Sequence, residues 1–124
     1  MAEETPITRK FRKELMTGLS SLVLLVVLGD AEREMYGYEI AKAMKLDGDD
    51  PLFKQGAIYP VLRSLHAAGL LDSRVEASAF GPPRRYYQIT EEGRKALAEW
   101  LATWRDMRGF VDNAIHTDKI LAGA

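Results

Sequence analysis

The stretch GAIYPVLRSLHAAGLLDSRVE (residues 56–76), followed by GPPRRYYQIT (residues 81–90), decides the architecture of this 124-residue chain. Ile58, Leu62 and Leu65 recur at the spacing of one helical face, which predicts a helix over residues 55–68 with Gly69 as its stop. Pro60 lies early in that helix, where its ring would press on the carbonyl of Gly56, so a distorted first turn is expected. Residues 71–76 and 85–89 then read as antiparallel strands joined by residues 77–84. Tyr86 and Tyr87 must face opposite sides of their strand, so one of them belongs to the core.

Outward from that centre, residues 8–28 predict a long helix in which Leu15, Leu19, Leu22, Val23 and Val26 recur at i, i+3 and i+4 spacing. Gly29-Asp30 should end it, followed by the charged link Ala31-Glu32-Arg33-Glu34. A short helix is expected over residues 37–44, burying Ile40, Ala43 and Met44, and then a loop over residues 47–51. On the other side, Thr90 is a candidate N-cap, with Glu91 and Glu92 placed to suit the helix dipole. The helix it opens should run over residues 91–117 with Leu97, Trp100, Leu101, Trp104, Met107, Val111 and Ile115 along one stripe. So much apolar surface has no outlet within a small domain that is already complete, and pairing with a second copy is its natural outlet. The expected division is a binding domain over 8–90, a dimerisation helix over 91–117, and tails at 1–7 and 118–124.

Composition bounds what such a chain can do. An apolar content of 47% supports a packed core, and the absence of cysteine excludes disulfides and thiolate chemistry and fits a reducing compartment. The longest apolar run, residues 22–28, falls well short of the ~20 residues of a membrane span. No signal-peptide pattern opens the chain, so a cytoplasmic protein without membrane attachment is expected. Net charge is -1 and the pI about 6.1, but a binding face needs only a local excess of charge. Residues 5–13 hold Arg9, Lys10, Arg12 and Lys13 and no acid. Residues 51–71 hold Lys54 and Arg63, and residues 77–90 hold Arg84 and Arg85, again without an acid. Residues 30–50, by contrast, hold seven acids against three bases.

A helix followed by a hairpin with a basic, proline-stiffened tip is the order of a winged helix-turn-helix. The fold expected is therefore mainly α with a small β-hairpin (α+β), extended by an N-terminal helix and a long C-terminal one. In that reading Lys54, Gln55, Gly56, Ala57, Tyr59, Pro60 and Arg63 face a DNA major groove, Gln55 suited to adenine and Arg63 to guanine or phosphate. Tyr59 could equally be packed against the second helix. Arg84 and Arg85 suit the minor groove or phosphates. The basic residues of 5–13 either touch phosphates or solvate the terminus.

The combination of YGYEIAKAM (36–44), GAIYPVLRSLHAAGLLDS (56–73) and GPPRRYYQITEEGRKAL (81–97) resembles the PadR-type family of bacterial transcriptional regulators over roughly residues 15–113. The single short C-terminal helix resembles its compact subgroup. The resemblance implies a homodimeric repressor that binds an inverted-repeat operator in double-stranded DNA and releases it on binding a small molecule. Trp100 and Trp104, one helical turn apart, can anchor the subunit interface; the resemblance to multidrug-sensing members implies instead that Trp104, with Trp100 and Met107 nearby, lines a site between subunits for a planar aromatic effector, in an interface containing Leu15, Leu97, Leu101 and Val111. The chain departs from the family at Lys54, where a small capping residue is usual. Lysine cannot accept the first amide hydrogen bonds of a helix, so the cap must come from elsewhere.

Enzymatic chemistry has little support. His66 and His116 lack metal-ligand spacing, no glycine-rich phosphate loop occurs, and Ser20, Ser21 and Ser64 have no matching base. Asp47, Asp49 and Asp50 lack the downstream glutamate of a calcium loop. No metal or cofactor is expected. Two other classes stay open: a winged-helix protein-interaction module, and a small-molecule-binding dimer without DNA function.

Overall fold

The structure, a computed structural model, describes residues 4–44 and 55–115. Five helical segments and three strands follow one another as α1 (Pro6–Ala31), β1 (Met35–Tyr36), α2 (Gly37–Ala43), a 3-10 turn (Gln55–Ala57), α3 (Ile58–Ala67), β2 (Leu71–Glu76), β3 (Arg84–Ile89) and α4 (Glu91–Ala114). The strands form one antiparallel sheet in the order β1-β3-β2. This is the expected α+β architecture, with one strand more than the sequence reading contains. The expected loop over 47–51 lies outside the described residues.

α1 starts earlier and ends later than expected. Thr5 caps it, its hydroxyl accepting from the Thr8 amide at 3.3 Å, and Pro6 occupies the first turn, where a missing N–H costs nothing. Residues 6 and 7 therefore belong to the helix and not to a tail. Gly29 and Asp30 do not stop it; Glu32, at φ 54°, does. The predicted apolar face also needs correction. The residues sealed in the core are Ser20, Leu24, Leu25 and Leu28, whereas Leu15, Val23 and Val26 are exposed, and Leu19 and Leu22 are half-buried. In so apolar a segment, helical spacing fits two faces at once, and only tertiary packing selects between them. α1 is also the one helix among the described residues long and apolar enough to cross a bilayer, with a mean hydropathy of 1.6 over eighteen residues. Its fully buried leucines instead form the centre of the domain core.

That core gathers Leu24, Leu25 and Leu28 of α1, Ile40 and Ala41 of α2, Ile58, Leu62 and Leu65 of α3, and Met35, Leu71, Tyr87 and Ile89 of the sheet. In α2 it is Ala41, not Ala43, that is buried, and Met44 is half-buried. Tyr87 is the core tyrosine of its pair. β1 went unread because two residues carry no periodicity. It exists because Met35 and Tyr36 lie beside Tyr87 and Tyr86 on the free edge of β3.

α3 opens through the 3-10 turn, the irregularity expected of Pro60. With Ile58 as the first α-helical residue, Pro60 is third, among the four positions whose N–H groups have no partner inside the helix. Ala57, at the N-cap, provides no side-chain bond. The far end is closed by a Schellman motif: Leu70 N–H donates to Leu65 and Gly69 N–H to His66, both at 3.0 Å, with Gly69 at φ 82°.

One residue then ties that end to the start of α4. Thr90 N–H donates to the Leu70 carbonyl at 3.0 Å, and its hydroxyl donates to the Gly69 carbonyl at 2.8 Å. The same hydroxyl accepts from Gly93 N–H at 2.9 Å, capping α4 as expected. The approach is close enough to require glycine at 93, since a Cβ there would stand 2.2 Å from the Leu70 carbonyl oxygen and 2.7 Å from Ile89. Gly93→Ala is expected to cost about 1–3 kcal/mol through overpacking and Thr90→Ala about 1–2 kcal/mol through the lost cap. Thermal unfolding at fixed protein concentration checks both, and midpoints within a degree of the parent protein would contradict this account of the junction.

Candidate nucleic-acid interface

In the first half of α3, Tyr59, Pro60 and Arg63 are turned away from the core, and Gly56 and Ala57 are exposed just ahead of them; Ser64, His66 and Ala67 are exposed further along. Ile58, Leu62 and Leu65 hold the opposite face in place. Tyr59 is both packed and accessible. Its ring lies so close to Gly37 that a Cβ there would meet the ring at 2.6 Å, yet 40% of the residue remains exposed. Gly37 begins α2, so the tyrosine braces α3 against the helix before it and keeps an outward edge. Lys54 and the Gln55 side chain lie outside the described residues.

The hairpin reaches beyond the core. Burial along β2 and β3 is concentrated at the Leu71–Ile89 end, and residues 74–77 and 79–85 are exposed. Arg84 belongs to the strand, paired with Glu76, one residue earlier than expected. The two arginines point to opposite faces, as neighbours in a strand must. The Arg84 guanidinium lies 4.5 Å from the centre of the Tyr36 ring, on the outer face that also carries Tyr86 and Arg74. Arg85 projects on the core side of the sheet and donates to Ser73 Oγ at 2.7 Å.

Charge pairing separates these cations. Arg74 is bound by Glu34 and, at 3.4 Å, by Glu76, and the Glu34 hydrogen bond is the main cause that holds its pKa above the ordinary arginine value. It is a neutralised part of the wing. Arg63, Arg84 and Arg85 form no ion pair among the described residues, which leaves their charge available to an anion. In the N-terminal basic segment, Arg12 is paired with Glu4 and Lys10 lies 4.0 Å from Glu14. That segment is less free than its acid-free composition suggests.

α4 carries a second set of exposed side chains. Leu97 and Trp100 pack against the domain's own core, and Leu101 is half-buried. Trp104, Met107, Val111 and Ile115 are exposed. Sequence reasoning did not single out Phe110 on α4, nor Ile7 and Phe11, which continue the outer stripe of α1 through Leu15. Their helical spacing was the available signal. Tyr38, Val75 and Phe80 are exposed as well, and Phe80, in the hairpin loop, has no periodic pattern to reveal it. No group of three or more potential metal ligands occurs among the described residues.

Comparison with known proteins agrees with this arrangement. The profile of the transcriptional regulator PadR-like family matches residues 24–99. A crystal structure of a PadR family transcriptional regulator from Eggerthella lenta is 29% identical, covers 90% of this chain and 95% of its own, and has a TM-score of 0.70. A PadR-like transcriptional regulator from Bacillus cereus is 27% identical over 85% of this chain and 99% of its own, with a TM-score of 0.67. An uncharacterized protein of Lysinibacillus sphaericus is 26% identical over 103 residues, 82% of this chain and 92% of its own. Such regulators bind DNA, usually as dimers, and are not enzymes. With that profile matching residues 24–99, more than half of its length, the chain belongs to the PadR-like family of DNA-binding transcriptional regulators.

Proposed function

We propose that this protein is a homodimeric, ligand-responsive repressor that binds an inverted-repeat operator. The observation that carries the reading is the free charge of Arg63 on α3 and of Arg84 and Arg85 on the wing, in segments without an acid. Residues 8–90 form the DNA-binding unit. Lys54, Gln55, Gly56, Ala57, Tyr59, Pro60 and Arg63 enter the major groove, and the wing follows the adjacent backbone and minor groove. Residues 91–117 form the dimerisation element, and two α3 helices so paired meet half-sites about one helical turn apart.

The dimer seam joins Trp104, Met107 and Val111 of α4 to the outer stripe of α1 that includes Leu15, with Leu97, Trp100 and Leu101 supporting α4 from within. Exposure of Trp104, Met107, Phe110 and Val111 in one protomer supports it. A planar aromatic effector stacks on Trp104 across the seam. By binding one arrangement of the paired helices better than the other, it shifts the spacing of the two α3 helices.

Mobility-shift titration against the DNA upstream of the protein's own gene tests the reading. Submicromolar binding is expected, weakening steeply with salt. Arg63→Ala and Arg85→Ala should each lower the salt slope by about two, one phosphate contact being lost from each protomer of the dimer. No shift at low salt would overturn it. Gly37→Ala should displace the Tyr59 ring, lower stability by about 1–3 kcal/mol as expected of overpacking, and weaken DNA binding. Unchanged affinity would remove Tyr59 from the interface. Planar aromatic compounds should quench Trp104 fluorescence and release DNA together; a panel that did neither would remove the effector proposal.

A further inference from the structure

Phe80 is 96% exposed, more than any other large apolar residue among those described. Single exposed apolar side chains are common and ordinarily require no account. This one stands where the chain is otherwise built to meet a polyanion. It occupies the loop between β2 and β3, ahead of Gly81, Pro82 and Pro83, in a segment, residues 77–90, whose only charges are Arg84 and Arg85. Neither its own strands nor the core covers it: residues 79–85 are all exposed.

The loop is also held. Two prolines fix φ on the side leading into β3. The backbones of Glu76 and Arg84 are strand partners at the base of the loop, the Arg84 side chain lies over the Tyr36 ring, and Arg85 is bonded to Ser73 on the other face. A cation-flanked tip on a fixed base, presenting one bare aromatic ring, has the features of an apolar wedge. Such residues enter the minor groove and partly unstack a base step, and the cost of unstacking is offset by the contacts that the bent duplex gains.

The geometry points to Phe80 as a base-step wedge that enters the minor groove beside each half-site and kinks the operator. The inference rests on the DNA-binding reading above. It carries a consequence for sequence preference. Pyrimidine–purine steps unstack most readily, so the protein should favour TA or CA steps under the wing, at positions it does not read by hydrogen bonding.

The test uses the full-length protein and the upstream DNA fragment. Bend angle is measured by circular-permutation mobility and by end-to-end energy transfer, and affinity is measured across a salt series. The parent protein should bend each half-site by about 20–90°. Phe80→Ala should abolish most of the bend and weaken binding by about 5- to 100-fold, the range for losing one stacked aromatic. The salt slope should stay unchanged, because no charge is lost. Phe80→Leu, which keeps an apolar side chain, should retain much of the bend. If the parent protein binds but Phe80→Ala bends and binds the same fragment equally well, the wedge is overturned and the DNA-binding reading stands. If Phe80→Ala changes only the sedimentation of the free protein, Phe80 belongs to a protein contact and the wedge is likewise overturned. If the parent protein does not bind the fragment at all, both readings fall together.

Discussion

The Thr90 junction is the constraint on which the rest of the molecule depends. Three hydrogen bonds through one residue join the last turn of α3 to the first turn of α4, and Gly93 lets the two chains approach closely enough to make them. Its position explains why it matters. The end of α3 is fixed by Gly69 and Leu70, the next strand starts at Leu71, and α4 starts where β3 ends. A displacement of α4 therefore acts directly on the terminus of α3 and on the base of the hairpin, with no flexible linker to absorb it. A regulator that binds DNA with α3 and pairs through other helices, as proposed, needs a joint of this kind, because relative motion would blur the spacing between half-sites. Stiffness here is what would let a change at a subunit seam reach the DNA.

Much of this was legible in the sequence, for reasons that differ from element to element. α3, β2 and β3 were readable because each carries its own periodicity and its own stop, and because Gly69 and Thr90 have strong positional meaning. The irregular start of α3 was readable because Pro60 cannot donate a hydrogen bond. β1 was not, since a two-residue strand is defined by its neighbour and not by its own pattern. The buried face of α1 was misread for a related reason: Leu and Val occupy every position over residues 22–28, so choosing a face required knowing what lay beside it.

The site was legible at the level of charge and less so at the level of direction. Acids are excluded from separated segments despite an acidic pI, and a phosphate backbone would respond to that local charge and not to the net charge. Arg84 and Arg85 are adjacent in sequence and were read as one basic tip. The two-residue period of a strand sends them to opposite faces, one over Tyr36 and one toward Ser73. The same rule had been applied to Tyr86 and Tyr87, where it held. Arg74 illustrates the converse, since nothing local in sequence foretells its pairing with Glu34, forty residues away.

α1 and α4 leave a problem that one protomer cannot solve. Ile7, Phe11 and Leu15 lie outward on one helix, and Met107, Phe110 and Val111 on the other, each at least 49% exposed. α1 already commits Leu24, Leu25 and Leu28 to the core, so its outer stripe is surplus to folding the monomer. A helix apolar on two sides is stable in water only when something covers both. This is also why α1 has the composition of a membrane-crossing segment while one face of it serves an ordinary protein core. If a second copy covers the outer stripe, as proposed, the N-terminal and C-terminal helices form one interface. The dimer then belongs to the hydrophobic core of the protein, and the two DNA-reading surfaces are spaced by the same packing that folds each chain.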